Sequence, residues 1–273
     1  MIDPSQVVGA VEPRQLADWL LSRGQHWITT GEAAEVLGIP SEHVSPTLAR
    51  WRRSGHLFSP TKGAYVPIPP EFRSWRAVPA AHFIDPLMTH LGHPYYVGLL
   101  SAAELLGFAH QRPQVFQVVT PARLRSREFG RVRLLFVTVA DISSRPTAAR
   151  NTPTGTVRVS TPEVTLLDLV SMPEHGGGLS NVATIAGEML DEGALDEHAL
   201  ASVAEQYPGA VVQRTGWLLE RVAEVVGVDV ALDNLRTVAQ RRTSPSRLLP
   251  SGTTGPLDER WNVIVNTEIE PDL

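Results

Sequence analysis

ITTGEAAEVLGIPSEHVSPTLARWRRSGHLFSPTKGAYV, residues 28–66, is punctuated like two short helices followed by a hairpin. Thr29 and Thr30 offer side-chain oxygens to free amides, and Glu32 follows Thr29 by three residues, which predicts a capping-box start. Ala33, Ala34 and Leu37 form a small apolar face, and Gly38 stands where a left-handed residue ends such a helix. Ile39-Pro40 then makes a stiff turn before Ser41, which is placed to cap a second helix. There Val44, Leu48 and Trp51 fall at i, i+4 and i+7 as an inner stripe, with Glu42, Ala49, Arg50 and Arg53 on the opposite side. Gly55 stops the helix. His56-Leu57-Phe58 and Ala64-Tyr65-Val66 flank Ser59-Pro60-Thr61-Lys62-Gly63, a hairpin with a cation at its tip. The pattern predicts a winged helix-turn-helix, a DNA-reading unit.

On this reading Ser45, Thr47, Arg50 and Arg53 make groove or phosphate contacts, Thr30 meets a phosphate at the first helix's N-terminus, and Lys62 serves the wing. Pro46 leaves the start of the second helix open. From Ser41 it deletes an internal hydrogen bond; from Ser45, Ser-Pro is a good cap and N1 pair on a shorter helix. The competing reading is a winged helix used for protein contacts, with its arginines merely solvated.

Charge decides between those two. The whole chain carries net −5, but residues 1–150 hold 16 basic and 11 acidic side chains, net +5, while residues 151–273 hold 8 and 18, net −10. From His43 to Arg76 the cations Arg50, Arg52, Arg53, Lys62, Arg73 and Arg76 face Glu71 alone, the local footprint of a phosphate-contacting surface.

At 273 residues the chain accommodates one large domain or two ordinary ones, and 42% hydrophobic content is normal for a globular core. With no cysteine, disulfides, thiolate nucleophiles and cysteine-ligated metals are excluded. The N-terminal MIDPSQVVGA lacks the apolar run of a secretion signal, and the apolar stretch 97–109, interrupted by Glu104, is about half the roughly 20 residues that span a bilayer. A cytoplasmic protein without membrane contact is expected.

A supporting helix is expected over 11–23, ended by Gly24, and prolines 67, 69, 70 and 79 argue for a linker or extended strap from Ile68 to Ala80 rather than helix. The organisation predicted is α+β: an N-terminal winged helix-turn-helix domain with its linker, residues 1–80, then a larger mixed α/β domain, residues 81–273, whose last part is mainly helical. Short helices are expected at 86–91 and 101–106, strands at 115–119, 132–139 and 157–159, and a helix opening on Thr161-Pro162-Glu163. Further helices are expected at 179–192, 196–206, 211–226 and 232–240, and a strand-like run at 261–265.

YYVGLLSAAELLGFAHQRPQVFQVVT (95–120), VSTPEVTLLDLV (159–170), VVQRTGWLLERVAEVVG (211–227) and DERWNVIVN (258–266), in this order behind the winged helix, resemble the AbiEi-type antitoxins of bacterial type IV toxin–antitoxin systems. The resemblance covers almost the whole chain. It implies a transcriptional autorepressor that binds inverted repeats in its own promoter, a C-terminal domain that counters a nucleotidyltransferase-like toxin, and no enzymatic activity or cofactor.

Three other groups of residues invite functional readings. Arg123, Arg125, Arg127, Arg131 and Arg133 surround Gly130 in a hairpin; if extended, Arg123, Arg125 and Arg127 share one face, either as an extra DNA-backbone strip or docking surface for an anionic partner such as RNA, or as a solvated edge strand. Histidines 82, 90, 93 and 110 with Asp85 match no metal-ligand spacing. Asp168, set among Leu166, Leu167, Leu169 and Val170, reads as a buried, hydrogen-bonded organiser. A rival enzyme reading would use Glu163, Asp168 and Glu188 as metal ligands, and a ligand-sensing regulator would need an apolar pocket in the second domain. The single lysine, Lys62, and the absence of G-x-S-x-G and H-E-x-x-H weigh against an enzyme.

Overall fold

A computed structural model describes residues 10–109, 114–251 and 254–272. His110, the Gln111–Pro113 part of the family-like segment and residues 1–9 lie outside these.

The N-terminal unit comprises α1 (Leu16–Leu21), β1 (Ile28–Thr29), α2 (Thr30–Leu37), α3 (Ser41–Arg53), β2 (Leu57–Phe58) and β3 (Ala64–Pro67). The capping box forms as expected: Thr29 Oγ1 accepts from the Glu32 amide at 3.3 Å, and Glu32 Oε2 accepts from the Thr29 amide at 2.8 Å. Gly38 ends α2 in the left-handed region at φ 64°. Helix α3 starts at Ser41 with Pro40 in the capping position and no side-chain cap, so Ser41 is the first helical residue and not the cap. Pro46 therefore lies inside the helix and removes the amide that would bond to Glu42. The strands form an antiparallel sheet in the order β1-β3-β2, and Leu16, Leu20, Ile28, Ala33, Leu37, Val44, Leu48, Leu57 and Tyr65 fill the space between it and the helices.

The segment 68–80 is packed, not loose, and it is not free of helix. Turns of 3-10 helix occupy Pro70–Trp75 and Ala80–His82, the first with proline in its opening turn, where the missing amide costs nothing. Ile68, Ala77, Val78 and Ala80 are buried in a cluster shared by both parts of the chain: Phe58 and Val66 enter it from the N-terminal sheet, and Phe83, Leu87, Met88, Val97, Val118 and Phe136 from the C-terminal side of the strap.

Then come α4 (Ile84–Leu91), β4 (Tyr96–Val97), α5 (Leu99–Leu106), β5 (Phe116–Thr120), β6 (Arg127–Phe129), β7 (Val132–Thr138), β8 (Thr147–Thr152) and β9 (Gly155–Ser160). The six strands of this segment form one mixed sheet in the order β6-β7-β5-β4-β9-β8, with β5–β7 and β4–β9 parallel. Strand alternation sends Val97, Val118 and Phe136 toward α4 and the strap. Tyr96, Val119 and Val137 face the opposite way, into the helical layer. That layer holds α6 (Pro162–Ser171), α7 (Leu179–Asp191), α8 (Glu197–Ala204), α9 (Gly209–Val226) and α10 (Asp233–Ala239).

The tail adds a small sheet of β10 (Ser246–Arg247), β11 (Leu257–Asp258) and β12 (Val263–Ile264). It seats Trp261 on α9, with the indole donating to Glu220 at 2.9 Å. Among the described residues no helix is long and apolar enough to cross a membrane.

Gly216 is where the tail needs a missing side chain: a Cβ there would stand 2.0 Å from the Trp261 ring. Gly216→Ala is therefore expected to destabilise the protein by about 1–3 kcal/mol through overpacking, although alanine is the better helix former. Urea denaturation with the Trp261 region followed by fluorescence measures it.

Candidate nucleic-acid interface

Helix α3 is held by its inner side chains and open on its outer side. Val44 and Leu48 are fully buried, and Trp51 is half-buried, meeting the His56 ring edge-on at 5.8 Å. Glu42, Ser45, Arg50, Arg52 and Arg53 are exposed, Thr47 half-exposed. The Arg50 guanidinium lies 5.6 Å from the Trp51 ring, a contact that steers the cation without neutralising it. Among the described residues none of Arg50, Arg52 and Arg53 has a carboxylate within ion-pair reach.

Lys62 is exposed in the turn between β2 and β3, where Ser59 Oγ donates to the Thr61 carbonyl at 2.7 Å. Thr30, expected to meet a phosphate, is half-buried, and its amide already donates to the Gly63 carbonyl at 2.8 Å. Only its hydroxyl remains for such a contact. Thus Ser45, Thr47, Arg50 and Arg53 share one helix, with Lys62 on the neighbouring turn.

The second basic set is divided by the structure. Arg127 belongs to β6, but its Nη1 donates to the Pro60 carbonyl at 2.6 Å, its guanidinium lies 5.9 Å from the Phe136 ring, and burial lowers its pKa. It is a clamp on the β2–β3 turn, not part of a free strip. Arg123 and Arg125 precede the strand in irregular chain, exposed, so the alternation expected of an extended segment does not align them with Arg127. Arg133 pairs with Glu128 at 3.2 Å, and the Arg131 amide donates to the Trp75 carbonyl at 3.0 Å.

Other candidate clusters are used structurally. Asp85 accepts from the Tyr95 hydroxyl at 2.9 Å, and His90 lies 5.7 Å from the Trp27 ring. Burial lowers the pKa of His26 and, together with the charge of His26, that of His82. Glu163 accepts from the Asp196 amide at 3.2 Å. Among the described residues no three histidines or carboxylates gather to hold a metal, so Glu163, Asp168 and Glu188 do not form a centre.

Asp168 instead anchors a buried network. It receives the hydroxyls of Tyr96 at 2.7 Å and Tyr207 at 2.8 Å and the guanidinium of Arg145 at 2.6 Å, and Arg145 also donates to the Tyr96 oxygen at 2.8 Å. Burial pushes the Asp168 carboxyl up, opposed by Arg145 and the two phenols. Burial and the Asp168 charge raise both phenols, which keeps them protonated and donating. Arg145 and Tyr207 were not foreseeable: one lies in a loop and the other beyond a helix end, 23 and 39 residues from Asp168.

A groove of about 510 Å³ between α9 and the tail has an apolar floor of Trp217, Leu218, Val222 and Ile269, and on its rim Arg221 pairs with Glu224 at 2.8 Å.

Removing the carboxylate leaves the Arg145 guanidinium buried without its counter-charge. Asp168→Ala is accordingly expected to cost about 3–5 kcal/mol, read as a lower urea midpoint.

Against known proteins, residues 96–221 match the family model described as the AbiEi antitoxin C-terminal domain. The chain is similar in fold to the crystal structure of the RV2827C protein from Mycobacterium tuberculosis, with a TM-score of 0.66 over 92% of this chain and 90% of the other at 15% identity. No curated protein matches the chain.

Proposed function

Because residues 96–221 match the model of the AbiEi antitoxin C-terminal domain, we propose that the chain is the antitoxin of a type IV toxin–antitoxin pair and that its N-terminal unit is a winged helix-turn-helix repressing its own promoter. The observation that carries the DNA reading is the two-sidedness of α3: Val44 and Leu48 fully buried, Arg50, Arg52 and Arg53 exposed without carboxylate partners among the described residues. A rod fixed from behind, with unneutralised cations in front, fits a groove bordered by phosphates.

In this reading Arg50 and Arg53 contact base edges or phosphate, Ser45 and Thr47 flank their face on its two sides, and Lys62 reaches the backbone from the wing. The start of α3 at Ser41 leaves Ser45 in the body of the helix, free to make such contacts. Arg123 and Arg125 extend the basic surface beyond the wing, a role favoured by the Arg127 clamp on Pro60, which holds their segment next to the wing turn. The partner of residues 81–273 is a nucleotidyltransferase-like toxin, opposed either by contact or at the toxin's target.

The two activities separate by mutation. Arg50→Ala and Arg53→Ala are each expected to weaken promoter binding by about 1–3 kcal/mol, while Glu192→Ala, on the far helical layer, binds as wild type. All three variants are expected to rescue growth when co-expressed with the neighbouring toxin gene. Wild-type DNA affinity in both arginine variants contradicts the interface, and failure of the wild-type chain to rescue contradicts the antitoxin role.

A further inference from the structure

At the N-terminal end of α9 two arginines come together without a carboxylate partner among the described residues. This 18-residue helix begins after Pro208 with no side-chain cap. The Arg242 stem lies against its first turn so closely that a Cβ on Gly209 would stand 2.9 Å from Arg242 Cβ. Gln213, one turn on, fixes this loop by donating from Nε2 to the carbonyls of Arg242 at 3.0 Å and Ser244 at 3.5 Å. Arg214 comes directly after it and is half-buried.

Four other arginines of this half are paired: Arg221 with Glu224, Arg236 with Asp233, Arg241 with Glu205 and Arg260 with Glu220, at 2.6–2.9 Å, while Arg247 is exposed to solvent. Among the described residues Arg214 and Arg242 have no such partner, although they sit in the acidic half of the chain. Arg214 Nε is enclosed without an acceptor, and burial with the charge of Arg242 presses its pKa down.

Two further side chains, Gln213 on α9, fully buried, and Ser246 on β10, which packs against α9, 4% exposed, leave Gln213 Oε1 and the Ser246 hydroxyl without partners. Enclosed polar atoms are ordinarily satisfied, and a half-buried guanidinium whose Nε is enclosed beside a second cation gains from an anion that joins it.

We propose that Arg214, Arg242 and the uncapped first turn of α9 form a binding site for a phosphate-type oxyanion, carried either by free phosphate or by a nucleotide. The two guanidinium groups supply directional, charge-assisted donors, and the free amides of Gly209 and Ala210 add the positive end of a long helix. The Ser246 hydroxyl is a further donor, and Gln213 Oε1 suits an anion that retains a proton.

The test is calorimetric titration of the full chain with inorganic phosphate and, separately, with a nucleoside triphosphate. Saturable binding is expected, weakened about tenfold or more by Arg242→Gln and by Arg214→Gln, as loss of a charge-assisted hydrogen bond requires. Arg236→Gln, at a paired arginine, leaves it unchanged. Arg242 is exposed, so its substitution tests the site without disturbing the core. Equal dependence of both probes on the two arginines identifies phosphate itself as the ligand, and tighter, arginine-dependent binding of the triphosphate identifies a nucleotide. Absence of saturable binding by either probe, or binding that survives both substitutions, overturns the proposal.

Discussion

The carboxylate of Asp168 is the point on which the large C-terminal layer is organised. It lies on α6 among leucines and reaches the sheet through Tyr96, the loop before β8 through Arg145, and the end of the α8 segment through Tyr207. Burying a carboxylate is expensive, and its attraction to a buried cation roughly offsets that expense at best. What the network adds is directional: three donors meet two oxygens in only one arrangement, so sheet and helices lock in one register. The apolar contacts around it supply the larger free energy but tolerate sliding in a way that this network does not.

The N-terminal unit is attached to that frame by packing and not by a tether. The rings of Phe58, Phe83 and Phe129 meet at 5.2–5.9 Å, bringing together the N-terminal sheet, the start of α4 and the β6–β7 hairpin. Gly130 is essential to that junction, since a Cβ there would run into the Trp75 carbonyl. The Arg127 bond to Pro60 then fixes the β2–β3 turn directly. Helix α3 consequently keeps its orientation relative to the helical layer.

Much of this is legible in the sequence. The capping box at Thr29, the left-handed Gly38, the hairpin around Lys62 and the helices of the last third all come from local chemistry, because each signal lies within one or two turns of the residues that it shapes. Asp168 is readable as an organiser, since a lone carboxylate among leucines needs partners; Arg145 and Tyr207 are not, because nothing local marks them. Strand β8, TAARNT, escapes a sequence reading because nearly all its residues are exposed, so no apolar alternation announces it. The start of α3 turns on Pro46, whose local preference for an N-terminal position loses to the packing of Val44 and Leu48 across a longer helix. Arg127 looks like a surface cation because its acceptor, a carbonyl 67 residues away, exists only after folding.

Whether the outer face of α3 enters duplex DNA is read most plainly by site-specific photocrosslinking of the intact protein bound to its promoter, with the probe placed in turn at positions 50 and 192. Adducts to bases within the protected repeat are expected from position 50 and none from position 192. Crosslinks confined to position 192, or a bound complex with no adduct from position 50, would contradict that placement.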